Sequence, residues 1–226
     1  MSVTDRHIIV TAGPTYEPLD QVRRLTNHST GRLGSNLASD LERRGYPVTL
    51  ALGSSATHQP HPQPRNLIRF TTTQSLAEKL EELSRTPCRA LFHAAAVSDF
   101  QFGQISPQTP SGEPVPLNRG KWSTRSGKLI AELLPTKKII RELRNLYPET
   151  LIAGWKYEID GDRQSALALA EAQISVNRTD LCVANGPAYG EGFGLVSRDY
   201  PPQHLPTMDD LFAALAHRVQ AHKHNP

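Results

Sequence analysis

The run Arg6-His7-Ile8-Ile9-Val10-Thr11-Ala12 is largely apolar and β-branched, and the pair Gly13-Pro14 follows it at once. A short apolar run bounded by Gly and Pro is typical of a buried strand. A helix is predicted at 29–44 and a second strand at Val48–Leu52. Strand, long loop, helix and strand in that order predict two parallel strands that a right-handed crossover connects.

The helix at 29–44 carries its own start and stop signals. A hydroxyl side chain, Ser29 or Thr30, is predicted as its N-cap, and Gly45 fits the position just beyond its last turn. Leucines recur along one side at helical spacing, which predicts that this side packs on the sheet. These leucines are Leu33, Leu37 and Leu41.

The same alternation continues along the chain. Strands are predicted at 67–70, 90–97, 129–134, 151–155 and 181–184, and helices at 75–83, 136–146, 163–176 and 208–222. This order predicts an α/β fold, a doubly wound and mainly parallel sheet with helices on both faces. We expect one domain over 1–226. Residues 101–134 and 186–207 are predicted to form appended strands or flaps, because 101–120 is rich in Pro.

Composition argues against several classes of protein. The 226 residues are 38% hydrophobic and 21% charged, which is ordinary for a globular domain. The net charge of +3 is scattered, so we expect no nucleic-acid partner. No apolar run nears the roughly 20 residues of a membrane helix, so we expect no membrane partner. Cys88 and Cys182 lie far apart without metal-site spacing, which predicts a cytoplasmic protein without a bound zinc.

The loop between the first strand and the first helix has the composition of a phosphate site. Small, hydroxylated and Gly residues at a helix N-terminus leave backbone N–H groups and the positive end of the helix dipole available to an anion. The fingerprints GxGxxG and GxxxxGK[ST] are both absent, and only Gly31-x-x-Gly34 remains. A helix start at which both glycines allow close packing is the alternative interpretation.

Two further segments hold charged candidates. Asp99 follows the predicted strand at 90–97, where a carboxylate would contact a Mg²⁺ ion on phosphates or simply cap a turn. Lys121 lies in a Gly- and Pro-rich flap at about 101–128. Its ammonium would neutralise charge that develops on a phosphoryl or acyl centre, or it would be a solvated surface charge.

Six segments occur in the order of one known family. They are Val10–Asp20, Asn27–Gly34, Ala94–Phe100, Lys121–Thr124, Ala153–Glu158 and Asp180–Asn185. Together they resemble the phosphopantothenate–cysteine ligase (phosphopantothenoylcysteine synthetase) domain of coenzyme A biosynthesis. The resemblance covers nearly the whole chain and implies a Rossmann-like three-layer αβα sandwich, usually a homodimer. It identifies 186–207 as a possible dimerisation extension.

The resemblance implies a two-step ligation. The carboxylate of 4′-phosphopantothenate attacks the α-phosphate of CTP or ATP and releases pyrophosphate. The amine of cysteine then captures the acyl-nucleotidylate and releases the nucleoside monophosphate. Because two anions must meet in the first step, Mg²⁺ and a lysine are expected to screen them.

Site residues follow from the resemblance position by position. Asn27 matches the residue that holds the acyl-nucleotidylate, and Lys121 matches the flap lysine needed for its turnover. Trp155 matches an aromatic residue near the base, and Asn185 lies at a further strand end. The phosphate-facing loop matches Gly13, Ser29, Gly31 and Gly34, and the strand end that meets the nucleotide matches Ala95, Ala96, Val97 and Asp99.

Some features leave alternatives open. The flap Lys121-Trp122-Ser123-Thr124 departs from the Lys-Ile-Lys-Lys of many bacterial members, so the choice between CTP and ATP stays open. The bifunctional form carries an FMN-dependent decarboxylase domain, and no flavin is expected in this chain. The alternatives are an NAD(P)-dependent reductase on the same fold, a non-catalytic nucleotide- or nucleic-acid-binding module, and a paralogue that acts on a related acid.

Overall fold

A computed structural model describes residues 7–107, 120–121, 123 and 127–222. The helices are α1 Arg32–Arg43, α2 Thr73–Leu83, α3 Ile139–Leu146, α4 Arg163–Asn177 and α5 Met208–Ala221. The strands are β1 Ile8–Ala12, β2 Tyr16–Pro18, β3 Arg24–Thr26, β4 Val48–Gly53, β5 Asn66–Phe70, β6 Ala90–His93, β7 Phe100–Pro107, β8 Leu129–Pro135, β9 Leu151–Tyr157, β10 Leu181–Asn185, β11 Phe193–Ser197 and β12 Gln203–Leu205.

Eight of these strands form the central sheet, in the order β12-β11-β10-β9-β6-β1-β4-β5. The six neighbouring strands β10, β9, β6, β1, β4 and β5 are parallel. At one edge β11 pairs antiparallel with β10, and β12 pairs antiparallel with β11. The chain builds outward from β1 to β4 and β5, and then crosses back to β6 on the other side of β1. The predicted α/β sheet is therefore confirmed, and its direction of growth reverses between β1 and β6.

Helices cover both faces of this sheet, which gives the three expected layers. Successive β1 residues point to opposite faces, as the period of a strand requires. Ile8 and Val10 belong to the apolar cluster that includes Leu37 of α1 and Leu215 of α5. Ile9 belongs to the cluster on the other face, which α2 and α3 complete. The fourth helix, α4, also covers that second face, over β9, β10 and β11.

The start of α1 differs from the prediction. Neither Ser29 nor Thr30 is the N-cap; Gly31 is, with φ at +81°, and the helix begins at Arg32. The chain needs a left-handed residue where it turns into the helix, and Gly adopts that conformation without a steric penalty. The Thr30 hydroxyl still contributes, because it accepts from the Arg32 N–H at 3.2 Å.

Two small sheets lie outside the central one. Strands β2 and β3 pair as an antiparallel hairpin within the predicted loop, and β7 and β8 pair as a separate arm. The appended strands predicted within 101–134 are β7, which runs as far as Pro107, and β8, with which it pairs. Residues 108–119 lie outside the described part. The appended strands expected in 186–207 are β11 and β12.

Both cysteines are free thiols in the protein interior. Burial raises the pKa of Cys88 to about 11 and the pKa of Cys182 to about 12, so both stay protonated at neutral pH. Within the described ranges, none of the helices combines the length and the apolar character needed to cross a bilayer.

Candidate active site

The candidate site lies where the sheet reverses its direction of growth. In open α/β sheets, ligands bind beyond the carboxyl ends of the strands at this point. The segments after β1 and β6 run on side by side there. Ala94 donates to the Thr11 carbonyl at 3.1 Å, and Ala96 donates to the Gly13 carbonyl at 3.0 Å. The predicted strand at 90–97 is thus shorter in the sheet, but a bridge between Pro14 and Ala96 continues its pairing.

Asn27 meets this pair of segments from the hairpin side. Its side-chain Nδ2 donates to the Ala96 carbonyl at 3.1 Å, and the same carbonyl accepts from the Thr15 N–H at 3.1 Å. Asn27 itself is exposed. The structure therefore brings two of the predicted site residues together, although 69 positions separate them in the chain.

The three glycines of the predicted phosphate loop lie at points of close packing. A Cβ on Gly34 would lie 2.7 Å from the Ala12 Cβ, which brings α1 directly onto β1. A Cβ on Gly31 would lie 3.1 Å from the Ala56 Cβ and 3.2 Å from the Gly13 Cα. Gly31 and Gly34 therefore allow close packing at the helix start, which is the alternative interpretation of the sequence. A phosphate at the same place is compatible with it, because small residues also let an anion approach the backbone.

The first turn of α1 is open toward the site. Gly31 has no side chain to cap it. Among the described residues, one side chain hydrogen-bonds to this turn: the Thr30 hydroxyl accepts from the Arg32 N–H. Ser29, the remaining member of the predicted loop, is half-buried just before the turn. The positive end of the helix dipole therefore lies at the ends of β1 and β4, where Gly31 approaches Gly13 and Leu52, a placement that suits a phosphate.

A buried hydroxyl pair fixes the segment that leads to Asp99. The Thr15 Oγ1 accepts from the Ser98 N–H at 2.8 Å and donates to the Ser98 Oγ at 3.1 Å. Both side chains are almost fully buried. Sequence reasoning missed this pair. The signal was present, because each hydroxyl lies inside a segment that was quoted for its resemblance.

Asp99 forms an ion pair with Lys138 at the N-terminus of α3. The backbone carbonyl of Asp99 also accepts from the Thr136 N–H at 2.9 Å. Lys138 was not predicted as a site residue, although the run Lys137–Lys138 marks it in the sequence. Both side chains are exposed, so the pair adds little stability. It does place a cation beside the strand end expected to meet the nucleotide.

The described residues of the site provide too few ligands to bind a metal ion by protein side chains alone. Within the described residues, no three His, Cys, Asp or Glu side chains come together in a metal-binding group. Asp99 supplies one carboxylate. Such a donor fits Mg²⁺ carried mainly by substrate phosphates and water, and does not fit a zinc cage.

His93 lies beneath the site, at the end of β6. Its Nδ1 is 2.9 Å from the Thr11 Oγ1, and that oxygen accepts from the Ala95 N–H at 3.2 Å. The Thr11 hydroxyl has its own proton to donate, which fits a neutral His93 that accepts at Nδ1. Burial lowers the pKa of His93 to about 4, so the ring is uncharged at neutral pH. The backbone N–H of Ala95, a predicted site residue, is thus hydrogen-bonded to Thr11, and Thr11 is hydrogen-bonded to His93.

Trp155 and Asn185 border the site on the face that α1 and α5 cover. Asn185 lies beside Tyr157 on the neighbouring strand, two residues beyond Trp155. The Trp155 Nε1 and the Asn185 Oδ1 are both buried, and neither has a hydrogen-bond partner among the described residues. Buried polar groups are nearly always paired in folded proteins. A ligand with a hydrogen-bond acceptor and a donor would satisfy these two atoms.

Lys121 lies beside the hairpin turn, since the preceding Gly120 carbonyl accepts from the Gln21 N–H at 3.1 Å. Its side chain is exposed, and no described contact joins it to Asn27 or Asp99. The predicted flap residues 108–119, 122 and 124–126 lie outside the described residues. Val97, the remaining predicted residue, is half-buried and packs against the cluster beneath β6.

Comparison with known proteins agrees with the family that the sequence resembles. Residues 3–199 match the family model described as the DNA/pantothenate metabolism flavoprotein C-terminal domain. The coenzyme A biosynthesis bifunctional protein CoaBC of Thermococcus kodakarensis is 32% identical over 213 residues, which are 92% of this chain and 48% of that protein. The chain therefore spans about half the length of the curated relatives it matches.

Solved structures agree in fold. The DNA/pantothenate metabolism flavoprotein from Streptococcus pneumoniae superposes with a TM-score of 0.83 at 26% identity, over 96% of this chain and all of that one. A Cab2 mutant in complex with phosphopantothenate-cysteine superposes with a TM-score of 0.71 at 19% identity, over 96% of this chain and 88% of that one. At 19% identity this second likeness concerns the fold alone.

Proposed function

Because the chain belongs to the family of the DNA/pantothenate metabolism flavoprotein C-terminal domain, we propose that it is a phosphopantothenate–cysteine ligase of coenzyme A biosynthesis. It joins 4′-phosphopantothenate to L-cysteine through an acyl-nucleotidylate. One observation carries the proposal: Asn27, the segment after β6 and the open first turn of α1 converge at the reversal point of the sheet. The CoaBC proteins of coenzyme A biosynthesis, which are 32% and 30% identical to this chain, support the choice of substrates.

The proposed roles follow the chemistry of each group. The first turn of α1, with Gly13, Ser29, Gly31 and Gly34, receives the phosphates of the nucleotide. The exposed Asn27 amide contacts the acyl-nucleotidylate, and its bond to Ala96 fixes its orientation. Lys121 neutralises the charge that builds on the leaving phosphate during the second step.

The nucleotide base is proposed to lie against Trp155 and Asn185. Cytosine and adenine both carry an exocyclic amino group, which would donate to the orphaned Asn185 Oδ1. An acceptor on the base or ribose would satisfy the Trp155 Nε1. This reasoning favours CTP or ATP as the co-substrate and leaves both open.

Mg²⁺ is proposed to reach the site on the nucleotide, with Asp99 as its one protein carboxylate. Bound there, the ion would reduce the repulsion between the triphosphate and the attacking carboxylate. Lys138 provides further positive charge at the same strand end. The proposed reaction transfers acyl and nucleotidyl groups without a change of oxidation state, so it requires no flavin.

A homodimer is proposed, with contact through the arm of β7 and β8. Large apolar side chains are exposed along this arm, and β11 and β12, in the predicted dimerisation extension at 186–207, form an edge of the central sheet that a second copy could also contact. Burying such side chains against a second copy would remove them from water. They are Phe100, Ile130, Leu133 and Leu134. Free buried cysteines suit the reducing cytoplasm, which we propose as the location of the enzyme.

A product assay with each nucleotide tests the function. The protein is incubated with 4′-phosphopantothenate, cysteine, Mg²⁺ and either CTP or ATP, and pyrophosphate and the acyl product are measured. We expect both products with at least one nucleotide, and pyrophosphate release that depends on the acid. Background pyrophosphate with both nucleotides would exclude the ligase. Tight binding of NADPH without binding of CTP or ATP would instead support a reductase.

A further inference from the structure

The hairpin turn between β2 and β3 contacts the chain one residue before Lys121. Gln21 donates its backbone N–H to the Gly120 carbonyl at 3.1 Å. The Gln21 side chain also lies along Gly120, because a Cβ added to Gly120 would lie 2.7 Å from the Gln21 Oε1 and 2.9 Å from its Cδ. Lys121 therefore leaves directly from a point that is fixed against the hairpin.

The turn holds Gln21 in a defined position. The Asp20 carboxylate accepts from the backbone N–H groups of Val22 at 2.9 Å and Arg23 at 2.8 Å, and it forms an ion pair with the Arg23 side chain. The Leu19 N–H donates to the Arg23 carbonyl at 2.8 Å. These bonds close the turn without the Gln21 N–H, which points outward and is available to Gly120.

The base of the hairpin is fixed as firmly as its tip. Glu17 is buried, and its carboxylate accepts from the Thr73 N–H in the first turn of α2 at 3.0 Å. The Thr26 hydroxyl donates to the Thr15 carbonyl at 2.9 Å. Asn27 follows Thr26 directly. One rigid hairpin thus carries Asn27 at its base and contacts the Lys121 segment at its tip.

We propose that Gln21 is a positioning residue for Lys121, acting through its backbone N–H. The inference rests on the proposed ligase function. In the second step, the cysteine amine forms a bond to the acyl carbon, and the bond from that carbon to the nucleotide phosphate oxygen breaks. The electron pair leaves with the nucleoside monophosphate, and the amine proton passes to solvent. Gln21 holds the chain at 120 so that the Lys121 ammonium reaches the leaving phosphate.

Two substitutions at one position separate the N–H from the side chain. Gln21→Pro removes the N–H, whereas Gln21→Ala keeps it and shortens the side chain. Gly120→Ala meets only the flexible end of the Gln21 side chain, which can move aside, so it leaves the N–H contact in place and is a second control. Circular dichroism and thermal unfolding confirm that each variant folds. A nitroxide attached to a Lys121→Cys variant then reports local mobility without any need for activity.

We expect the nitroxide to become more mobile with Gln21→Pro, and to stay restricted with Gln21→Ala and Gly120→Ala. In single-turnover assays, Gln21→Pro should release pyrophosphate at the wild-type rate. Its acyl-nucleotidylate should then accumulate, because amide formation slows by roughly tenfold to a hundredfold. In the Lys121→Gln background, Gln21→Pro should cause no further slowing.

Equal nitroxide mobility in the Gln21→Pro and Gln21→Ala variants would overturn the inference. So would additive slowing in the Lys121→Gln background, or a loss of pyrophosphate release. If wild-type protein released no pyrophosphate with either nucleotide, the proposed function would fail. The nitroxide measurement would still decide whether Gln21 positions residue 121.

Discussion

The Asn27 Nδ2 and the Ala96 carbonyl oxygen lie 3.1 Å apart, and their hydrogen bond joins the end of the β2–β3 hairpin to the segment after β6. The bond orients the Asn27 amide in the candidate site although the side chain is exposed. Because only the N–H side of the amide can donate, a carboxylate at this position would face the Ala96 carbonyl with a negative charge.

Asn27→Asp is therefore expected to release the side chain from Ala96 and to weaken retention of the acyl-nucleotidylate. We expect at least a tenfold increase in the fraction of intermediate that escapes to solvent, since a charge-repelled contact replaces a hydrogen bond worth about 1 kcal/mol or more. Rapid quench and chromatography of the free intermediate measure this. Asn145→Asp is the matched control, because the Asn145 oxygen accepts from Arg178 and a carboxylate can do the same. Equal retention in both variants would contradict the role of Asn27.

Lys121→Gln keeps a polar side chain that can hydrogen-bond, although a slightly shorter one, and removes its charge. We expect pyrophosphate release to continue while the acyl-nucleotidylate accumulates, with amide formation slowed by roughly a hundredfold or more. Lys128→Gln, at another exposed lysine of the same region, should behave as wild type. The time courses of pyrophosphate and of the acyl product separate the two steps. Wild-type amide formation in Lys121→Gln would refute the assignment.

His93 predicts a particular dependence of stability on pH. In the unfolded chain its pKa is near 6.5, and burial lowers it to about 4 in the folded protein. Its contribution to stability is therefore complete above pH 6.5 and is lost as the pH falls from 6.5 toward 4, by about 3 kcal/mol over the whole window. Between pH 7 and pH 5 the expected loss is about 2 kcal/mol.

His93→Gln can still hydrogen-bond to Thr11 but cannot take up a proton. Urea unfolding of both proteins at pH 7 and pH 5 isolates the contribution of His93, because His7, whose pKa burial also lowers, is present in both. The wild type should lose about 2 kcal/mol more than the variant between the two pH values. Parallel losses would show that His93 titrates normally in the folded state.

The contact between α1 and β1 predicts the outcome of two adjacent substitutions. Gly34→Ala places a Cβ 2.7 Å from the Ala12 Cβ and 3.1 Å from the Thr11 carbonyl oxygen, so the helix must shift. We expect a loss of about 1–3 kcal/mol of unfolding free energy. Ser35→Ala, one residue on, removes a buried hydroxyl that has no partner in the described structure. It should leave stability unchanged or raise it, and urea titration of both variants checks the contrast.

The fold could be predicted largely because its strongest signals are local. The run at 6–12, the leucines of α1 and the later strands each carry their own periodicity, and their order alone implies the doubly wound sheet. The hairpin β2–β3 was missed because its strands of three residues each are too short to show an apolar period. The cap at Gly31 was missed because a hydroxyl neighbour is the commoner N-cap, and only the path of the hairpin requires a left-handed residue there.

The sequence allowed residues of the candidate site to be named, but it did not allow the hydrogen bonds between them to be predicted. Resemblance named Asn27 and Ala96 separately, yet their hydrogen bond depends on how the hairpin folds back. Lys138 and the Thr15–Ser98 pair escaped because their roles arise from contacts between distant segments. The orphaned polar atoms of Trp155 and Asn185 could not be foreseen either, since burial of single atoms depends on the packed structure.

The close approach of Gly13 and Gly31 has a consequence for how such a protein can diversify. The chain leaves β1 at Gly13 and returns within contact distance at Gly31, so the hairpin between them is a loop whose two ends already meet. Loop length costs little entropy once the ends are fixed, with each doubling adding about 0.6 kcal/mol. Insertions or replacements in the hairpin can therefore accumulate without disturbing the start of α1. Selection can alter the hairpin while the start of α1, which is proposed to receive the phosphates, stays the same.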